Sequence, residues 1–190
     1  MTIPMRNDYD STRLLELVEQ RQPLDDDLIT KSNLSNRDSQ GQNALYWAIK
    51  NHSTRNVALL LKHKISLFVG YQLDALFHAV DSKNLEVLVI LLSTGLNIDT
   101  QNFKAQSLLM KAIEQENIMM VQYLLNQGID LYCMDENYDM AEDYAKRSKN
   151  QRVFELVHYK ILSDKAATEQ SDCTACGVEE QRQCSIVKGR

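Results

Sequence analysis

The sequence predicts an all-α protein: a solenoid of stacked helix-turn-helix units joined by short hairpin loops. Three observations predict this architecture. One pattern of 25 residues recurs in register along the chain, cap-forming and small residues stand at fixed places within that pattern, and residues that break helices are rare. Six glycines and two prolines among 190 residues indicate that much of the chain is regular helix.

The repeated pattern appears when residues 43–67, 74–98 and 107–131 are aligned, which needs no gap. A fourth, shorter copy begins at Met140, so the starts of successive copies lie roughly 33 residues apart. Such a period is typical of repeat proteins, in which each unit contributes one pair of helices to a continuous core. The alignment therefore predicts four stacked pairs.

The first half of each copy favours a helix. The opening residue of the first three copies has a short side-chain oxygen, which can cap a helix by accepting a backbone N–H. An alanine follows at the sixth position of every copy, and its small side chain lets a neighbouring helix approach closely. The capping residues are Asn43, Asp74 and Ser107, and the alanines are Ala48, Ala79, Ala112 and Ala145.

The second half of each copy predicts a turn and a second helix. Asn84 and Asn117 stand at the eleventh position, and asparagine suits a tight turn because it tolerates left-handed backbone geometry. A leucine-rich face follows with helical spacing, and Gly95 and Gly128 stand where the helix would end with a positive φ. Lys64 replaces that glycine in the first copy. One such pair cannot bury its apolar faces alone, so the pairs are expected to stack.

Bulk properties exclude several other classes of protein. The apolar run at 87–92 is far shorter than the roughly 18 residues that a membrane span needs. The net charge of −5 disfavours a general affinity for nucleic acid, which needs a basic surface. The start of the chain has neither the basic region nor the apolar stretch of a secretory signal peptide. Three of the four cysteines stand close to the end of the chain, where disulfide bonds between them would not cross-link the core. This indicates a reducing compartment.

The period of about 33 residues and these fixed positions resemble the ankyrin repeat, over about residues 36–160. The Asp-x-x-Gly of the family's hairpin is present at residues 38–41. The Thr-Pro-Leu-His that opens the family's first helix is replaced by NALY, DALF, SLLM and MAED, and the link before the second copy is two residues short. The resemblance implies repeats at about 36–68, 69–101, 102–134 and 135–162.

Both ends of the chain are expected to differ from the repeats. Residues 1–35 are interpreted as an eroded N-terminal capping unit with an inserted loop. Within it, 10–20 would form the second helix of a pair, and 22–36 the loop, with a short helix at DDDLIT. Residues 163–190 are expected to form a disordered tail that contains cysteines.

The tail holds the only cluster that suggests chemistry. Cys173, Cys176 and Cys184 resemble half of a zinc site, but a structural site needs four ligands and no further cysteine or histidine is near. Cys184 would begin a prenylation box only if the chain stopped at Val187. Free thiols are favoured, and reversible acylation stays open. No metal, cofactor or catalytic residue is predicted, because the glycines are scattered and the four histidines stand at no metal-binding spacing.

The ankyrin resemblance implies two partner-binding surfaces: the concave groove lined by the first helices, and the row of hairpin tips. The groove residues are Trp47, Lys50, His78, Asp81, Lys111, Glu114, Tyr144 and Arg147, and the tip residues are Arg37, Tyr71, Phe103, Tyr132 and Tyr138. Trp47 is the sole tryptophan, and tryptophan is enriched at the energetic centres of interfaces. Packing of Trp47 between helices is an equally open interpretation.

These features predict a non-enzymatic protein-interaction module or adaptor, monomeric and cytoplasmic, whose partner is another protein. The alternative is a secreted bacterial effector that engages a host protein through its ankyrin repeats in the host-cell cytoplasm. Short degenerate ankyrin proteins with a Glu-containing polar tail resemble such effectors. An enzyme is the third class, and it would need a catalytic site built from residues 22–36 or from the tail.

Overall fold

The computed structural model describes the backbone of residues 8–176 and the side chains of residues 9–166. Helices dominate this part of the chain, and one hairpin of two short strands interrupts them. The elements in order are α1 (Asp8–Glu19), α2 (Asp26–Lys31), α3 (Ala44–Lys50), α4 (Thr54–Lys62), β1 (Phe68–Gly70), β2 (Leu73–Asp74), α5 (Ala75–Asp81), α6 (Leu85–Ser93), α7 (Leu108–Glu114), α8 (Ile118–Asn126), α9 (Ala141–Arg147) and α10 (Gln151–Cys176).

The helices form two rows, as a stacked all-α repeat fold requires. In the inner row each first helix packs on the next, from α1 through α3, α5 and α7 to α9. The second helices α4, α6, α8 and α10 form the outer row, in which α4 packs on α6 and α8 packs on α10. Each first helix also packs on the second helix of its own pair. The predicted fold class is confirmed.

The core lies between the two rows and follows the repeated pattern. The alanines of the sixth position are at most 1% exposed, so the inner helices approach one another closely at these points. The leucines of the eighteenth position, Leu60, Leu91 and Leu124, are fully buried between the rows. Burial of such side chains supplies most of the stability of a helix too short to be stable alone.

The turn within each pair differs from the expectation in one detail. The left-handed residue is the one before the asparagine, and Lys83 and Glu116 both have a φ of 53°. Asn84 and Asn117 instead cap the second helix, as when the Asn84 Oδ1 accepts the Val87 N–H at 3.2 Å. Asparagine at the eleventh position therefore accepts a free N–H group at the start of the second helix, and it does not adopt the left-handed conformation of the turn.

α1 is the first helix of a pair, and this corrects the prediction that residues 10–20 form a second helix. Arg21 has a left-handed φ of 62°, and His52, at the equivalent turn of the next pair along the chain, has a φ of 57°. The Asn51 side chain donates to the Val18 carbonyl at 2.7 Å and holds α1 against α3. α1 therefore extends the inner row by one helix.

α2 is the second helix of this N-terminal pair, so residues 22–36 are more than an inserted loop. The short helix expected at DDDLIT is present, and the Asp25 carboxylate caps it by accepting the Leu28 N–H at 2.7 Å. Asn56 of α4 fixes the segment before it, because its Oδ1 accepts the Leu24 N–H at 3.0 Å. The N-terminal pair is thus tied to the first repeat by polar as well as apolar contacts.

Four loops, numbered first to fourth, precede α3, α5, α7 and α9 at residues 37–42, 66–74, 99–106 and 130–139. In the first, third and fourth loops one side chain accepts two loop N–H groups and fixes the turn. These side chains belong to Asp38, Asn102 and Asp135. The second loop follows the short link and forms the antiparallel strands β1 and β2 instead.

Hydrogen bonds join the four loops in two pairs. The Arg37 guanidinium donates to the Phe68 carbonyl at 2.8 Å and joins the first loop to the second. The Glu136 N–H donates to the Lys104 carbonyl at 3.1 Å and joins the third loop to the fourth. Within residues 9–166, no hydrogen bond joins the second loop to the third.

The last pair, α9 and α10, carries charge where the preceding pair is apolar. Met110 and Ile113 of α7 are buried, but the equivalent positions of α9 hold Asp143 and Lys146. The Lys146 ammonium lies 3.3 Å from a Glu142 carboxylate oxygen and 3.7 Å from one of Asp143. This face therefore presents ion pairs rather than an apolar surface on which a further repeat could stack.

α10 is much longer than the other second helices, with 26 residues where α4, α6 and α8 have nine each. The expectation of a disordered tail does not hold for residues 163–176, which continue this helix. Their sequence contains no proline or glycine to end it. Residues 177–190, with Cys184, lie outside the described residues. In the described part of the chain no helix has the length and apolar character to cross a bilayer.

Candidate partner-binding surface

The residues predicted to line the groove stand at the fifth and eighth positions of the inner helices. Trp47 stands near the N-terminal end of the groove, half-buried on α3 and packed against the core. Its indole Nε1 donates to the Asp38 Oδ2 at 2.8 Å, and the Lys50 ammonium lies 4.6 Å from the ring centroid. The ring is therefore held in one orientation while part of the residue stays exposed.

Tyr144 on α9 repeats this arrangement at the other end of the groove. Its hydroxyl donates to the Asp135 Oδ2 at 2.7 Å and accepts from the Gln106 Nε2 at 2.7 Å. In both cases the aromatic residue bonds a loop aspartate nine residues before it in the chain. The Arg147 guanidinium lies 4.9 Å from the Tyr144 ring centroid. Both groove aromatics are thus fixed by the loops as well as by their helices.

These bonds keep the two loop aspartates ionised. Burial raises the pKa of Asp135, but hydrogen bonds from Tyr144 and from the N–H groups of Asp139 and Asn137 lower it by more. The pKa of Asp38 is likewise lowered below its ordinary value, because bonds from the Gln42 N–H and from Trp47 outweigh its partial burial.

His78 does not line the groove as predicted, because it is buried. Only 6% of the residue is exposed, and its ring stacks on Tyr46 with 4.1 Å between the ring centroids. Its Nε2 lies 3.2 Å from the Tyr46 carbonyl oxygen. Burial lowers the pKa of His78, so the neutral ring is favoured. It is a packing residue between α3 and α5, and the stacking partner could not be read from its own position in the repeat.

The other charged residues of the predicted groove, Asp81, Lys111, Glu114 and Arg147, all form ion pairs. The Lys111 ammonium lies 2.9 Å from a Glu114 carboxylate oxygen and 3.4 Å from one of Asp81. Burial lowers the pKa of Lys111, but its bonds to these two carboxylates raise it above the ordinary value. Arg147 pairs with Asp139 at 2.7 Å. These ion pairs link α5 to α7, and they link α9 to the fourth loop. They fix the positions of the charged side chains that take part.

Two exposed residues stand at groove positions without having been predicted from the sequence. Because α1 belongs to the inner row, Glu16 and Glu19 occupy the fifth and eighth positions of the N-terminal pair, and both are exposed. They stand one repeat before Trp47 and Lys50, so extending the repeat period backwards by one unit would have found them.

The four predicted tip aromatics are all exposed. Tyr71 is 86% exposed, Phe103 62%, Tyr132 51% and Tyr138 82%. Phe68 and Met134, which were not predicted from the sequence, are exposed on the same loops. Arg37, the fifth predicted tip residue, is exposed too, but its guanidinium already binds the carbonyls of Gly41 and Phe68.

An open pocket lies between the groove and the tips, beside the second and third loops. Its walls include Gln72, Phe103, Asp81, Lys111 and Glu114. The pocket therefore combines an aromatic ring from a loop tip with the ion pairs of the groove. Within residues 9–166 no three His, Cys, Asp or Glu side chains come close enough to hold a metal ion.

Comparison with known proteins agrees with this geometry. The family model for ankyrin repeats, in three copies, matches residues 12–102, which begin within α1. Human palmitoyltransferase ZDHHC17 is 36% identical over 84 residues, covering 42% of this chain and 13% of that protein. The Arabidopsis thaliana potassium channel AKT2/3 is 29% identical over 109 residues, covering 57% of this chain and 14% of the channel.

A third relative matches more of the chain. The putative ankyrin repeat protein FPV022 of fowlpox virus is 30% identical over 147 residues, covering 73% of this chain and 25% of the viral protein. The chain therefore spans between about an eighth and a quarter of the length of these relatives. The family match, the period and the two rows of helices agree, and the chain is an ankyrin-repeat protein.

Proposed function

We propose that this chain is a non-enzymatic adaptor that binds a partner protein through the concave groove and the loop tips. One observation carries the proposal: large aromatic side chains stand exposed on successive loops beside a groove whose own aromatics are fixed. Exposed apolar side chains that recur along one edge are typical of partner sites. Ankyrin repeats indicate a protein-interaction module in general, and the named surfaces are the specific part of the proposal.

The fixed aromatics support the groove as part of the same site. Trp47 and Tyr144 are held by hydrogen bonds to Asp38 and Asp135, so binding would cost little side-chain entropy at these positions. Lys50 adds a cation that, in the described part of the chain, has ring contacts but no ion pair. The proposed groove residues are Trp47, Lys50, Asp81, Lys111, Glu114, Tyr144 and Arg147, and the proposed tip residues are Arg37, Tyr71, Phe103, Tyr132 and Tyr138.

The test is affinity capture from a cell lysate with matched variants. The double variant Tyr71→Ser and Phe103→Ser removes two exposed rings, and the control Tyr159→Ser removes one from the outer row, where it is 67% exposed. Far-UV circular dichroism should match the wild type for both. The tip variant should lose captured proteins that the control keeps. Capture of the same proteins by the tip variant would contradict the proposal.

Partner class and location complete the proposal. The partner is a protein rather than nucleic acid, because the chain carries a net charge of −5. We further propose a cytoplasmic monomer, which analytical ultracentrifugation of the full chain and its localisation in cells would test. The enzymatic activity named for palmitoyltransferase ZDHHC17 belongs to a protein of which the match covers only 13%.

Export as a bacterial effector is the second hypothesis. No described residue favours it, and most of the segment that motivates it, 171–190, lies outside the described residues. A secretion assay comparing the full chain with a deletion of that segment decides it. Equal amounts of both chains inside the producing cell, with neither exported, would reject this hypothesis and leave the adaptor proposal intact.

A further inference from the structure

The third and fourth loops carry an acidic aromatic surface, formed by Asp99, Phe103, Asp130, Tyr132, Glu136 and Tyr138. All six residues are exposed. Three hydrogen bonds place the loops side by side, and one of them runs from the Gln101 Nε2 to the Met134 carbonyl at 3.2 Å. The Asp130 N–H donates to the Asp99 Oδ1 at 2.8 Å, and the Glu136 N–H donates to the Lys104 carbonyl at 3.1 Å. The six side chains therefore belong to one continuous edge of the protein.

Among the side chains that the structure describes, the three carboxylates of this surface have no cationic partner. Within the described residues none of Asp99, Asp130 and Glu136 forms an ion pair, although Asp99 and Asp130 accept backbone N–H groups. Lys104 is the one basic residue in these two loops, and its ammonium lies 5.8 Å from the Phe103 ring centroid. The first and second loops together hold one basic residue, Arg37, and two acidic ones, Asp38 and Asp74. Unpaired negative charge is thus concentrated at the third and fourth loops.

The fourth loop holds Tyr138 in a conformation that its side chain disfavours. Tyr138 has a φ of 64°, which is unusual for a bulky residue. The turn is maintained because Asp135 accepts the Asn137 and Asp139 N–H groups, at 2.8 and 2.9 Å. Strained residues of this kind are frequent at functional sites. The ring is 82% exposed, so packing within the protein does not account for its placement.

We propose that the acidic aromatic surface binds a basic segment of a partner protein, whose lysine and arginine side chains lie against the rings and pair with the three carboxylates. The inference rests on the proposed protein-binding function and names the chemistry of the partner. Aromatic faces attract cations, and guanidinium groups both stack on rings and bind carboxylates, so one basic side chain can satisfy both features of this surface. Charge complementarity also speeds association and disfavours acidic partners.

The experiment selects peptides on the full chain from a phage-displayed library of random dodecapeptides. Binding of the selected peptides is then measured by fluorescence anisotropy at low and high salt. The test variant carries Asp99→Asn, Asp130→Asn and Glu136→Gln, which keep the acceptors of the loop N–H bonds. The control variant carries Asp25→Asn, Glu86→Gln and Glu155→Gln, which remove the same charge from exposed positions outside the four loops.

Selected peptides should be enriched in lysine and arginine over the input library. Their affinity should fall about tenfold for the test variant, by less than about twofold for the control, and steeply with salt. Peptides without such enrichment, equal binding by the test variant, or no selected peptide would each overturn the inference. If lysate capture still depends on Tyr71 and Phe103 in that case, the adaptor proposal stands and only the basic partner is excluded.

Discussion

Tyr144→Phe removes one hydroxyl and with it two hydrogen bonds that join α9 to the third and fourth loops. The Asp135 Oδ2 loses a donor at 2.7 Å and the Gln106 Nε2 loses an acceptor at 2.7 Å. Asp135 is only 6% exposed, so water replaces the lost bond poorly. Bonds to charged groups contribute about 1.5–3 kcal/mol, and we expect a loss of about 2–3 kcal/mol in the free energy of unfolding.

The assay is thermal and urea unfolding followed by far-UV circular dichroism, because the sole tryptophan reports only on the first repeat. The expected loss corresponds to a fall of about 4–12 °C in Tm for a chain of this size. Tyr138→Phe is the control, since that side chain is 82% exposed, and it should change stability by less than about 0.5 kcal/mol. A loss for Tyr144→Phe no larger than that of the control would refute the assigned role of the hydroxyl.

The pH dependence of the stability of Tyr144→Phe gives a second test of the hydrogen bond between Tyr144 and Asp135. The pKa of Asp135 is lowered in the folded protein, so its contribution is present above its ordinary pKa and is lost as the pH falls through the folded-state pKa. The difference in stability between wild type and Tyr144→Phe should therefore be largest near neutral pH. It should narrow as the pH falls through the lowered folded-state pKa of Asp135, where the carboxylate becomes protonated and the hydrogen bond to it weakens.

Three further predictions concern single positions. Ala105 has a left-handed φ of 55°, so Ala105→Gly should stabilise the protein by about 0.5–1 kcal/mol in urea unfolding, whereas Ala58→Gly within α4 should cost about 1 kcal/mol. Equal effects of the two changes would contradict the assigned backbone. Burial lowers the pKa of His78, so wild-type stability should decrease as the pH falls through about 6.5, where the unfolded chain takes up the proton first. His78→Gln should make stability depend less on pH in this range. An unchanged dependence of stability on pH would rule out His78 as its source. Ala79→Leu should lower the free energy of unfolding by about 1–3 kcal/mol or more, because the larger side chain must fit a fully buried contact between inner helices. Wild-type stability in this variant would disprove the close approach of these helices.

Much of the fold could be predicted because the sequence signals of the repeat depend on residues close together in the chain. A capping side chain, a small residue six positions in and a leucine face each act within one helix pair, and their recurrence fixes the stack. Asn43, Asp74 and Ser107 all cap the helices that they were expected to cap, accepting N–H groups at 3.0, 2.8 and 3.3 Å. These features depend on neighbours within the same copy, so the sequence suffices to find them.

The sequence predictions fail where a residue's surroundings come from another copy, or where a copy lacks the repeated pattern. His78 shares its repeat position with Trp47, but it is buried because Tyr46 of the preceding copy stacks on it. α1 was assigned to the wrong row because Leu17 stands where the other copies have alanine, so the pattern that marks a first helix is absent. The bonds of Trp47 and Tyr144 to their loop aspartates were visible only as an equal spacing in two copies, a signal too small to stand out.

The pairing of the four loops has a mechanical consequence. The first loop is bonded to the second and the third to the fourth, while across the middle of the array the described loops share no hydrogen bond. A solenoid bends most readily where neighbouring units are least connected. The helix packing of α5 on α7 and the ion pair between Asp81 and Lys111 make the connection across this line. The pocket beside Gln72 and Phe103 spans this line, so a change in the curvature of the array would widen or narrow this pocket.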